Sequence, residues 1–75
     1  MREFTVRLIW DDDERVWHSQ SDELGLTLES GSFDALVERV KIAAPEMVEL
    51  NFGYTGEFQL VLEMAQRTVS IRAMA

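Results

Sequence analysis

The sequence predicts an α+β domain, an antiparallel sheet with one long helix laid across one face, in the order β-β-β-α-β. Three observations carry this. Residues 3–10 and 57–64 alternate apolar and polar side chains with the period of a half-buried strand. Residues 33–48 place apolar side chains at helical spacing behind a serine. Short runs rich in Asp, Glu, Ser and Gly separate these segments.

In the first segment Phe4, Val6, Leu8 and Trp10 share one face and Glu3, Thr5, Arg7 and Ile9 the other. The Phe4 face is expected to meet the core. Asp11, Asp12, Asp13 and Glu14 follow, a run of low strand propensity suited to a hairpin loop. Arg15 to Gln20 is the returning strand. Its two faces, Val16/His18/Gln20 and Trp17/Ser19, are nearly equal in apolarity, and periodicity does not choose between them. Ser21-Asp22-Glu23-Leu24-Gly25 is a second turn, and Leu26 to Glu29 a short third strand.

Ser32 is placed to cap a helix, and Asp34 in the first turn complements the helix dipole. Phe33, Leu36, Val37, Val40, Ala44, Met47 and Val48 form its apolar stripe, which ends near Leu50. Pro45 removes the N–H that would bond the Lys41 carbonyl. A kinked helix, or two helices meeting end to end, is expected there. Residues 51–56 read as a loop.

Glu57 to Met64 alternates again, with Phe58, Leu60, Leu62 and Met64 on one face. Beyond it the apolar phase shifts to Val69 and Ile71. A bulge, or a turn at Ala65–Thr68 followed by a fifth strand, accommodates the shift. Read as a frayed or edge segment, Val69 and Ile71 have no seat in the protomer's own core.

The chain has 75 residues, the size of one domain in which a single core is marginal. Self-association, most simply as a homodimer, is therefore expected. Fourteen acids against seven Lys and Arg give a net charge of −7. Such a surface repels phosphate backbones, so direct nucleic-acid binding is not expected, whereas a basic partner protein is favoured. Absence of Cys excludes disulfides and thiolate metal or nucleophile chemistry. No apolar run approaches a membrane span and no signal peptide opens the chain, so a cytoplasmic location without membrane partners is expected.

No set of residues reads as catalytic. The acidic run lacks the spacing of a calcium loop, and neighbouring acids at a hairpin tip fan outward, so no metal site is assigned. His18 has Ser19 beside it, but adjacent strand residues point to opposite faces. The glycines form no phosphate-binding loop, and no cofactor is implied. Ile9, Trp17, His18, Val69 and Ile71 are the candidate partner or oligomer surface, because they offer apolar or aromatic area without an evident place in the core.

The order strand, acidic turn, strand, turn, strand and capped helix resembles the HicB-like antitoxin family, in particular a small branch catalogued as a domain of unknown function. The resemblance rests on Phe4-Thr5-Val6, Trp10-Asp11, Val16-Trp17, Ser21-Asp22-Glu23-Leu24-Gly25-Leu26, Glu29, Ser32 and Pro45-Glu46-Met47-Val48-Glu49-Leu50-Asn51. Leu24 stands where that family usually has Pro. His18 and Ser19 stand where it has aliphatic or small residues. No partner contact is therefore carried over.

The resemblance implies a truncated ribonuclease-H-like fold without nuclease activity. It implies a role in occluding a small basic toxin ribonuclease. Family members often add a DNA-binding unit, for which these 75 residues leave no room. The expected function is thus non-enzymatic protein binding. The alternative is a stand-alone oligomeric domain with a regulatory or small-molecule role.

Overall fold

The structure is a computed structural model that describes residues 2–65 and 67–75. Its elements are β1 (Arg2–Asp11), β2 (Val16–Gln20), β3 (Glu29–Ser30), α1 (Phe33–Phe52), β4 (Glu57–Met64) and β5 (Arg67–Met74). The five strands form one sheet in the order β3-β2-β1-β4-β5. The fold is α+β as expected; of the two alternatives after Met64 the fifth strand is the one present, which extends the order β-β-β-α-β, and the sheet is mixed rather than antiparallel.

The mixed character has a simple cause. β1 and β2 are antiparallel, as are β2 and β3, so β3 runs in the direction of β1. Helix α1 then returns over the sheet, and β4 must again run with β1. β4 pairs in parallel with β1 from Arg2↔Phe58 to Arg7↔Glu63. Such a pair requires a crossover of this length, here supplied by the helix.

The core lies between α1 and one sheet face. Phe4, Val6 and Leu8 of β1, Phe58, Leu60 and Leu62 of β4, and Leu36, Val40, Ala44 and Val48 of α1 are buried. Val37 and Met47 pack against them half-buried. The predicted β1 face and helical stripe are therefore those observed.

The helix begins as expected, with the Ser32 Oγ accepting from the Ala35 N–H. It runs unbroken through Pro45, so the end-to-end alternative does not hold. The missing bond concerns Lys41, an exposed residue whose carbonyl water can serve. The helix also extends past Leu50, and Asn51 and Phe52 are helical rather than loop. Phe52 meets Phe4 at a tilt with ring centroids 5.1 Å apart, and Asn51 Nδ2 donates to the Leu24 carbonyl at 2.9 Å. Gly53 closes the helix at φ 64, its N–H donating to the Glu49 carbonyl, a conformation that side chains with a Cβ resist.

The third strand is shorter than predicted: only Glu29–Ser30 pairs with β2, at Trp17↔Ser30 and His18↔Glu29. Residues 26–28 are held instead by Ser19. Its N–H donates to the Leu28 carbonyl and its Oγ to the Leu26 carbonyl, while the Oγ accepts from the Leu28 N–H. Ser19 is buried, and with Trp17 it faces the helix; Val16, His18 and Gln20 face outward. Leu24, read as a turn residue, is fully buried.

Val69 and Ile71 are also corrected. The fifth strand reverses direction, and the register Leu62↔Val69 and Leu60↔Ile71 places both on the helix side of the sheet. The phase change reflects this reversal rather than a bulge. Ile71 packs against the core, so it does have a seat in the protomer. Within the expected turn, Gln66 lies outside the described residues.

Candidate functional site

β1 is longer than its partner β4. Their ladder stops at Arg7↔Glu63, while β1 continues to Asp11, paired there to β2 alone. β4 ends at Met64, and the chain reverses into β5, whose ladder starts at Met64↔Arg67. The sheet therefore has a notch beside residues 8–11. A cleft of about 870 Å³ occupies it, lined by Leu8, Ile9, Trp10, Trp17, Phe33 and Met64, with Arg7, Glu63, Ala65 and Thr68 at its margins.

Aromatic contacts build the helix side of this cleft. Trp10 and Trp17 are opposed across the β1–β2 ladder with ring centroids 5.4 Å apart. Trp17 meets Phe33, the first residue of α1, edge-on at 4.9 Å. Trp10 belongs to the core face by phase, but it lies towards the end of β1, where β4 no longer flanks the strand. It stays 39% exposed, and Ile9 on the outer face 41%. Arg15 lies over the Trp10 ring at 5.8 Å, and Trp10 Nε1 donates to Asp12 Oδ1 at 3.3 Å.

The acidic hairpin adjoins the cleft. Asp11 Oδ1 accepts from the N–H groups of Asp13 and Glu14 at 3.0 and 3.2 Å. The Glu14 contact leads in holding the Asp11 carboxyl below its ordinary value; partial desolvation opposes it, and the Asp13 N–H and His18 add to it. His18 lies between two acids on the outer sheet face. Its Nε2 is 3.5 Å from Asp11 Oδ2 and its Nδ1 3.5 Å from Glu29 Oε2.

Asp11, Glu14 and His18 bring ligand-type atoms within 4.8 Å of one another. The expectation that the acids fan outward does not hold for Asp11 and Glu14, which converge on His18, and Asp12 turns back to accept from Trp10 Nε1. Among the described residues, these three have the chemistry to hold a cation. Both Asp11 oxygens are already engaged, one by backbone donors and one by the imidazole, so the group closes on itself.

A family model described as a domain of unknown function, DUF1902, matches residues 3–73. The chain belongs to this family. Among solved structures, this DUF1902 domain is similar to a hypothetical protein, TTHA1013, from the extremely thermophilic bacterium Thermus thermophilus. The TM-score is 0.74 and the identity 28%, over 91% of this chain and 99% of that one. Comparison with curated proteins finds no match.

The five residues expected at a partner surface do not form one patch in this DUF1902 domain. Ile9 and His18 are cross-strand partners on the outer face. Trp17 is on the helix face within the cleft, and Val69 and Ile71 lie on β5. Trp10, Phe33 and Met64 were not among the expected surface residues. The signal for Trp10 was its position at the end of a long strand, immediately before a charged turn. No helix among the described residues is long and apolar enough to cross a membrane.

Proposed function

We infer that this chain is a non-enzymatic protein-binding domain of HicB-antitoxin type, which neutralises a small basic toxin ribonuclease by occluding it in the cytoplasm. The observation that carries the reading is the cleft itself. Trp10 and Ile9 stand half open beside Asp11–Glu14 on a chain of net charge −7. Exposed aromatic area next to a field of one sign favours a protein partner of the opposite sign. The fold reading that goes with it is a truncated ribonuclease-H-like sheet, supported by the parallel β1–β4 pair joined through a helical crossover. A two-metal nuclease needs carboxylates converging from strand interiors. In β1 the acids stand near its two ends, at Glu3 and Asp11.

The protomer pairs with a second copy through β5. This strand is an outer edge of the sheet, eight residues long, with Val69 and Met74 36% and 61% exposed. A long open edge is ordinarily paired or covered. The same edge favours a second reading, a stand-alone oligomeric domain with a regulatory role.

Co-expression separates the two readings. A small basic protein encoded beside this gene should arrest growth alone and cease to do so when this chain is produced with it. Neighbouring reading frames that encode no such protein, or growth arrest that this chain leaves unchanged, overturn the antitoxin reading.

A further inference from the structure

We propose that the open stretch of β1 at residues 8–11 takes an extended basic segment of the partner as an added strand, an inference that rests on the protein-binding role above. β1 is central in the sheet, yet among the described residues its β4-side ladder ends at Arg7↔Glu63. Backbone donors and acceptors along that stretch have no ladder on that side. Residues 8–11 span roughly 13 Å at about 3.3 Å per residue, enough for one short strand. Backbone bonds supply affinity in such additions, and pockets for alternate side chains supply specificity.

The notch defines both sets of side chains. Residues on one side of the added strand meet Trp10, Trp17, Phe33 and Met64, an apolar wall. Residues on the other side emerge on the outer face, where Glu63 and Arg7 line the cleft and the acidic hairpin of Asp11 and Glu14 follows β1. Among the described side chains, Arg15 pairs with Asp12 at 3.8 Å and Arg7 stands opposite Glu63 across the β1–β4 ladder. The fitting segment therefore alternates apolar and basic residues. The notch is assigned to the basic partner, and the β5 edge is the one proposed for a second copy.

The probe is a short peptide alternating lysine and valine. Two further versions are N-methylated, one at every valine and one at every lysine. In a strand, alternate N–H groups point to one edge, so methylation of one set removes the bonds to β1 and methylation of the other leaves them. The unmodified peptide should bind, one methylated version should bind at least about tenfold more weakly, and the other should bind nearly as well. Amide exchange should slow at residues 8–11 in the complex. Equal binding by all three peptides overturns strand addition and leaves the protein-binding role standing. Protection along 67–74 instead places the strand on the outer edge and overturns the notch. Failure of every peptide to bind overturns both the strand addition and the basic-segment reading.

Discussion

Trp10 and Trp17 face each other across β1 and β2 with their rings 5.4 Å apart, yet only Trp17 is closed in by the helix, through Phe33. The pair marks where the core ends and the cleft begins. Below it, three layers of β1 side chains are buried under α1; above it, β1 has lost its β4 neighbour. The cleft is thus a consequence of unequal strand lengths.

Leu8 is the last buried β1 residue before the cleft, 2% exposed. Leu8→Ala should destabilise the fold by about 2–5 kcal/mol, through lost apolar transfer and the cavity left behind. Urea unfolding measures this. A loss near zero would mean that the β1 face is not seated as described.

Ser19 has its hydroxyl and N–H both committed to the 26–28 segment. Ser19→Ala leaves the Leu28 N–H without its acceptor and should cost about 1–3 kcal/mol. Amide exchange should then quicken at Leu28 more than at strand β4. Unchanged exchange at Leu28 would remove Ser19 from the account of the short third strand.

Asp11 titrates below its ordinary value of about 3.8 in the folded chain. A carboxylate depressed on folding contributes stability that is fully present above its unfolded pKa and fades as pH falls through its folded one. Asp11→Ala should therefore be less stable than wild type at neutral pH, and the gap should close in the acid range below the ordinary value. A gap that persists unchanged at low pH would point to packing rather than the charge.

Much of this fold was legible in the sequence because it depends on local pattern. The alternation of β1 and β4, the Ser32 cap and the helical stripe through Val48 are all short-range signals. What was not legible depends on partners distant in the chain. Phe52, in the last turn of the helix, meets the Phe4 ring at a tilt, and Leu24 is buried in a turn tied to Asn51. The two faces of β2 were equally apolar because Ser19, a polar residue, takes a core position by satisfying backbone groups there. For the candidate site, the sequence singles out Ile9 and Trp17, while Trp10 reads first as a core or sheet-edge residue. Its phase said core, and only the early end of the β4 ladder leaves it open.

Self-association through β5 predicts a dimer mass by sedimentation at tens of micromolar. Val69→Lys, which puts a charge on that edge without touching the fully buried core, should shift the mass to monomer. A wild-type monomer would remove the β5 interface, and a dimer indifferent to Val69→Lys would move it elsewhere.

The most direct measurement is a calorimetric titration of the lysine–valine peptide into wild type and into Trp10→Ala. Trp10 is 39% exposed, so the substitution spares the core while removing one wall of the cleft. Saturable one-to-one binding to wild type is expected, weakened at least about tenfold in Trp10→Ala, as for an aromatic residue that anchors an interface. Equal affinity for the two proteins, or no saturable heat with wild type, would contradict the assignment of this cleft as the binding surface.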